Sequence, residues 1–322
     1  MHRVIMAPTE GAESEMVAIS MAAKLAQRFD ADLHLVAAEA PPLGIETVPR
    51  PSVLAITEQT LTDERLARLR KLEALGNEYA ALGNIRVTTA LEDGPVTRTL
   101  ADYATKHNVD LIVMSSHSRG GVKRITLGSV TDYLIRNTNI PVLVVRPRTS
   151  VAGATPEYAL GRIVVPLDGS ELAEQVLPEV TALASRLGST VNLIHVLTPV
   201  TYSQKEIMQP GLPWWDADIA VARSYLDDVA SELTGQGLTV SKDVILSDHI
   251  ATAIRDYAVR AGADVIALAT RGKGGVSRLV FGGVADEVTR TSPTSLLVVH
   301  PKQRAVADDA SGRSESRVLA EG

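Results

Sequence analysis

The chain has 322 residues and a formal net charge of −6, from 32 Lys and Arg against 38 Asp and Glu. That balance argues against a generic nucleic-acid binder, which needs a basic face, and the length fits about two domains of roughly 150 residues. Apolar residues make up 45% and cysteine is absent, so sizeable cores can be buried, while disulfides, thiolate metal sites, iron–sulfur clusters and a cysteine nucleophile are excluded.

Met1-His2-Arg3-Val4-Ile5 enters the first apolar run at once, with no basic leader before it. No run approaches the roughly 18 apolar residues of a membrane span, so a cytoplasmic protein without membrane contact is expected. Apolar runs at 4–7, 33–38, 85–90, 111–114 and 142–145 predict strands. Helix-period segments lie between them at about 13–29, 56–82, 95–107 and 129–137. Strands at 163–165, 191–197, 239–246, 265–269 and 296–299 follow, with helices near 171–187, 216–234, 249–261 and 284–291. Such alternation, with near-continuous apolar strands, predicts an α/β fold of two similar doubly wound domains. Each would be a Rossmann-like five-stranded parallel sheet flanked by helices.

The two halves are copies. Val-Leu-Val-Val-Arg-Pro at 142–147 answers Leu-Leu-Val-Val-His-Pro at 296–301, and a shift of 154 pairs 102–147 with 256–301 at 17 identities in 46 positions. Near the front the offset is 158, pairing Pro8-Thr9-Glu10-Gly11 with Pro166-Leu167-Asp168-Gly169. Solenoid repeats run at roughly 20–50 residues, so this period means duplicated domains. Domain 1 is placed at 1–147, a linker at 148–160, domain 2 at 161–301 and a disordered tail at 302–322.

Open α/β sheets bind ligands beyond the carboxyl ends of strands, where strand order reverses. The unusual residues cluster there. Pro8, Thr9, Glu10 and Pro166, Leu167, Asp168 follow the first strand of each half. Ser115 to Gly121 and Ala269 to Gly275 follow the fourth, leading to Gly128-Ser129-Val130-Thr131 and Gly282-Gly283-Val284-Ala285 at the last helix. A glycine lets backbone approach a ligand, and the first amides of a helix point outward unpaired. With the helix dipole they form a phosphate-sized site, to which Arg119, Arg271 or Lys273 can add charge. Glu10 and Asp168 have two readings: contacts to a ribose hydroxyl, adenine amino group or metal-bridged phosphate, or caps of the following helix.

At these residues the chain resembles the universal stress protein family, in its tandem two-domain form. The family pattern is Gly, two residues, Gly, nine residues, then Gly-Ser or Gly-Thr, with Pro-x-Asp after the first strand. The resemblance spans both halves and is strongest at 120–131. It implies binding of an adenine nucleotide, ATP with or without Mg²⁺, in at least one half. Carried over, the pocket of domain 1 comprises Pro8, Thr9, Glu10 and Ala38, then Met114, Ser115 and Ser118, and Gly128, Ser129, Val130 and Thr131. That of domain 2 comprises Pro166, Leu167, Asp168 and Val196, then Leu268, Ala269, Gly272 and Lys273, and Gly282, Gly283, Val284 and Ala285. Ala38 and Val196 would pack on adenine. Domain 1 departs from the pattern at Ser115, Ser118 and Glu10. Domain 2 departs at Ala269 and Gly283, where Arg271 and Lys273 would replace the lost hydroxyl; because Ser115 and Ser118 crowd their pocket more than Ala269 does, domain 2 is expected to be slightly the better nucleotide site.

The resemblance further implies that the two fifth strands meet across a pseudo-twofold axis, an intramolecular pseudo-dimer; pairing of whole chains into a homodimer is left open. Three functions follow: a nucleotide-binding stress-response regulator, which is favoured, a nucleotide-free module for an unidentified protein partner, and a slow ATPase. No activated nucleophile or water-activating base is named by the sequence. His34 and His195 read as core or strand-end histidines, His117 and His249 as loop positions, and Trp214-Trp215 as part of an irregular stretch packing on a core or interface.

Overall fold

A computed structural model describes residues 2–39, 51–116, 127–146, 160–198, 214–270 and 282–300, with the backbone alone at 51–62 and 214–215. The expected linker and tail lie outside these residues, apart from Leu160. The first half runs β1 (Val4–Pro8), α1 (Met16–Phe29), β2 (Asp32–Glu39), α2 (Pro51–Gly83), β3 (Val87–Asp93), α3 (Val96–Lys106), β4 (Leu111–Ser115), α4 (Ser129–Asn137) and β5 (Val142–Val145). The second runs β6 (Arg162–Pro166), α5 (Glu171–Glu174), α6 (Leu177–Leu187), β7 (Thr190–Leu197), α7 (Trp214–Gly235), β8 (Thr239–Leu246), α8 (Ile250–Arg260), β9 (Val265–Ala269), α9 (Gly283–Thr291) and β10 (Ser295–Val299).

All strands join one sheet in the order β3-β2-β1-β4-β5-β10-β9-β6-β7-β8. Within each half every pairing is parallel. The halves meet where β5 and β10 pair antiparallel, Leu297 opposite Leu143. Both strands are buried along their length, so apolar edges that would otherwise invite aggregation cover each other.

Strand periodicity divides the core into two layers. Ile5, Ala7, Leu111 and Val113 face the layer built around α1 and α6, while Met6, Ile112 and Met114 face α3 and α4. Each layer continues through both halves. On the first face His2 and Glu179 of α6 approach to 2.8 Å across the joint.

Several elements differ from their expected limits. β3 ends at Asp93, because Leu91, Glu92 and Asp93 stay in register with Ala37, Ala38 and Glu39 of β2; pairing, not apolarity, sets its end. The segment expected as one helix at 171–187 is broken at Gln175 and Val176, and Pro178 enters the first turn of α6, where its missing N–H costs no hydrogen bond. Trp214 and Trp215 open α7 rather than lying in an irregular stretch.

Candidate functional site

Strand order reverses between β1 and β4 in one half and between β6 and β9 in the other. A cleft lies beyond the carboxyl ends of each pair, of about 660 Å³ in the first half and about 260 Å³ in the second. The strand-end residues Pro8, Thr9, Glu10, Ala38, Met114 and Ser115 line the first, together with Gly128, Ser129, Val130 and Thr131 at the start of α4. Pro166, Leu167, Asp168, Val196, Leu268 and Ala269 line the second, with Gly282, Gly283, Val284 and Ala285 at the start of α9. Ser118, Gly272 and Lys273 lie outside the described residues, as do Arg119, Arg271 and His117.

The turn after β1 is organised by a residue that sequence reading passed over. Glu15 Oε2 accepts from Thr9 Oγ1 at 2.8 Å, from the Glu10 amide at 2.8 Å and from the Ala12 amide at 3.2 Å. Thr9 Oγ1 accepts in turn from the Gly11 amide at 2.9 Å. Gly11 has φ +80° with no atom within 4 Å of a built Cβ, so conformation and not space calls for glycine there. The signal was present: Glu15 stands three residues after Ala12, the spacing of a capping box.

The second half solves the same turn differently. Asp168 Oδ1 accepts from the Ser170 amide at 3.0 Å and its hydroxyl at 2.6 Å, and Ser170 Oγ caps α5 through the Ala173 amide at 3.1 Å. Of the two readings of the strand-1 carboxylates, capping therefore fits Asp168, acting through Ser170. In the first half Glu15 orders the turn without capping α1.

The last helices are different. Neither Gly128 before α4 nor Gly282 before α9 provides a side-chain cap. The earliest backbone hydrogen bonds there are Asp132 N–H to Gly128 O and Asp286 N–H to Gly282 O, both 2.9 Å. Among the described residues no side chain caps these helix starts, and their first residues line the clefts, an arrangement that can receive an anion.

Other missed residues form the walls: Val96, Thr97 and Leu100 from α3, Ile250 and Ile254 from α8, and Ser14 or Leu172 near the first turn. The sequence offered α3 and α8 only as amphipathic helices, and their placement over the sheet makes their first turns cleft walls. The walls differ in both directions: Glu15, Ser129 and Thr131 give way to the smaller Ala173, Gly283 and Ala285, and other positions grow. At matched offsets, Ala38 becomes Val196, Val96 becomes Ile250, Ser14 becomes Leu172 and Thr9 becomes Leu167. Beside the second cleft, burial pushes the Tyr225 hydroxyl well above its usual range, and its 2.8 Å hydrogen bond to Glu174 adds to this. Burial lowers His195, against the pull of Asp168. His34 is buried and bonded through Nδ1 to Tyr103 Oη at 3.0 Å, a core role. Among the described residues no cluster of three or more His, Asp or Glu is placed to hold a metal ion, and no helix is long and apolar enough to cross a membrane.

The model of the universal stress protein family matches residues 1–146 and again 160–300. The chain belongs to the universal stress protein family. It is 24% identical over 302 residues to a universal stress protein of Mycolicibacterium smegmatis, covering 93% of this chain and 97% of that one. It is 28% identical over 148 residues to universal stress protein MJ0531 of Methanocaldococcus jannaschii, 45% of this chain and 83% of the relative. The fold is shared with the crystal structure of a universal stress protein from Archaeoglobus fulgidus DSM 4304, at TM-score 0.61 and 18% identity over 92% of this chain and 98% of that one. A protein of Pseudomonas aeruginosa UCBPP-PA14 gives TM-score 0.61 at 17% identity, over 93% and 94% of the two chains.

Proposed function

We propose that this universal stress protein is a stress-response regulator that binds ATP, with Mg²⁺, in the cleft of its first half. The observation that carries the reading is the cleft of about 660 Å³ ending on the uncapped start of α4, because small-molecule sites span roughly 300–1,000 Å³. Ala38 and Val36 offer an apolar wall for a base, and Thr97 and Ser129 offer hydroxyls. Glu10 and Glu15 are the charged residues among the described lining, so a triphosphate needs a divalent ion to offset them. On residue types the second half is the nearer match, but its cleft of about 260 Å³ is below the usual range. The proposal therefore puts the nucleotide in the first half.

Titration calorimetry of the full chain with ATP and Mg²⁺ tests this. One equivalent of ATP is expected to bind, and Ser129→Ala, which removes a hydroxyl at the start of α4, to weaken it up to about tenfold, while Asp168→Ala changes little. Undiminished binding in the first variant with loss in the second would move the site to the other half. Absence of binding, with no nucleotide in denatured protein by mass spectrometry, would favour the nucleotide-free interaction module.

A further inference from the structure

The two helices that open the clefts are held by each other's half of the molecule. Arg136 of α4 pairs with Asp132 on its own helix at 2.9 Å and reaches Asp286 of α9 at 2.7 Å. Arg290 of α9 pairs with Asp286 at 2.8 Å and approaches Asp132 of α4 at 3.5 Å. The four residues are related by the offset of 154 found in the sequence, so they close a symmetric ring of alternating charge over the joint. Burial works against ionised Asp286, yet hydrogen bonds from Arg290 and Arg136 hold its carboxyl below the usual range.

The carboxyl ends of the same helices are also gripped from across the joint. Arg146, at the end of β5 and 3% exposed, donates through Nη2 to Thr289 O of α9 at 2.6 Å. Thr289 lies in the last turn, where carbonyls have no intrahelical partner and the helix dipole is negative. That placement gives the buried guanidinium one partner, while its Nε and Nη1 have none among the described residues. His300, at the position matching Arg146, faces the backbone of Ile135 in α4, the position matching Thr289; its Nε2 lacks hydrogen-bond geometry there. Each helix thus begins at its own cleft and has its last turn against a residue of the other half, with a hydrogen bond across the joint at α9.

We propose that the clefts are energetically coupled through α4 and α9, so that a phosphate-bearing ligand at the start of α4 alters the start of α9. The proposal rests on the reading of the first cleft as a nucleotide site. The reason is mechanical and electrostatic. Ser129, Val130 and Thr131 line the first cleft, and Asp132 follows directly in the charge ring. Val284 and Ala285 line the second, and Asp286 follows in the same ring. An anion drawn onto the first turn of α4 cannot shift that helix without changing the two cross-joint ion pairs. Linkage makes the effect reciprocal: whatever fills the second cleft changes affinity at the first by the same factor.

The test uses the full chain, labelled for amide NMR, with ATP and Mg²⁺ as the probe. ATP is expected to shift the amides of Ser129, Val130 and Thr131, and to shift those of Gly283, Val284 and Ala285 with the same half-saturation. Asp286→Asn breaks the ring without touching either cleft lining; it should keep the first response and reduce the second by half or more. A response at α4 with none at α9 overturns the coupling, as does an α9 response that Asp286→Asn leaves intact, which would mean direct binding in the second cleft. If ATP shifts no amide in either cleft, the nucleotide reading fails, and the ligand-free proteins decide the coupling. Shifts at Ser129, Val130 and Thr131 between wild type and Asp286→Asn then support it, and their absence overturns it. Circular dichroism matching wild type confirms that the variant folds.

Discussion

The two clefts share strand order, helix placement and an uncapped last helix, yet one encloses about 660 Å³ and the other about 260 Å³. At the joint, the β5–β10 pairing and the ring of Asp132, Arg136, Asp286 and Arg290 show the opposite behaviour, with matched residues making matched contacts, while Arg146 and His300 differ. Duplication has kept that pairing and that ring alike and let the residues lining the clefts diverge. Strand pairing at β5 and β10 and the ring of Asp132, Arg136, Asp286 and Arg290 need the same chemistry from both halves. Among the described residues the cleft walls answer to no partner in the other half, and Ala38 and Val96 of one half stand where the other has Val196 and Ile250.

The largest expected effect lies at the joint. Leu143 and Leu297 are opposite one another and fully buried, so truncating either to Ala should cost about 2–5 kcal/mol. If the joint is symmetric in energy as well as in contacts, Leu143→Ala and Leu297→Ala should lower the urea midpoint alike. A loss confined to one variant would show that only one half depends on the pairing.

Next is the turn after the first strand, where the halves use different devices. Glu15→Ala removes the acceptor of three hydrogen bonds and should cost about 1.5–3 kcal/mol, since bonds to charged groups are the stronger ones. Ser170→Ala removes one helix cap and should cost about 1 kcal/mol. Thermal unfolding of the two variants orders them; a larger loss from Ser170→Ala would contradict the assignment of Glu15 as organiser.

A third experiment exchanges the walls. Ala38→Val with Val96→Ile gives the first cleft the side chains of the second and should weaken ATP about tenfold, or about 1.4 kcal/mol. Val196→Ala with Ile250→Val opens the second. If calorimetry shows no loss in the first variant, cleft volume is not what separates the halves.

How much of this was legible beforehand depended on what each residue's role required. The repeat, the alternation of strands and helices and the family were readable because they rest on period and identity, as in the matched Val-Val-Arg-Pro and Val-Val-His-Pro ends of the halves. The strand-end and helix-start residues could be placed because an order-reversing sheet puts them at one crevice. Glu15 was missed because attention rested on Glu10, which occupies the family's acidic position, whereas the carboxylate with the reach to gather three donors sits one turn later. The ranking of the halves was made on backbone crowding at Ser115 and Ala269. The second cleft is also walled by Ile250 and Ile254, from a helix whose position over the sheet no local pattern reveals.

The smallest effect is a pH dependence that separates the halves. Burial lowers the imidazole pKa of His34 in the first half and of His195 and His300 in the second. For His34 the nearby His107 adds to this and Asp32 opposes it; for His195 Asp168 opposes it, and for His300 the Ile135 backbone does. A base whose folded-state pKa lies below its unfolded one takes up its proton more readily when unfolded. Stability from these groups is therefore full above about 6.5 and is lost as pH falls from there toward the folded-state values. Asp286, whose pKa is lowered from 3.8, acts in a separate and more acidic window. Two of the three histidines belong to the second half, and His300 occupies the place that Arg146 holds in the first. Arg146 is pulled down by burial only to about 10 and stays charged throughout. Lowering pH from 7.5 to 5.5, a shift chosen to cross this window, should loosen β9 and β10 before β4 and β5, read as faster amide hydrogen exchange. His300→Gln should flatten the difference, because a neutral amide can still meet Thr270 Oγ1, which now lies 3.0 Å from His300 Nδ1. Equal acceleration in both halves, unchanged by His300→Gln, would mean that the two ends of the joint respond to acid alike despite carrying different bases.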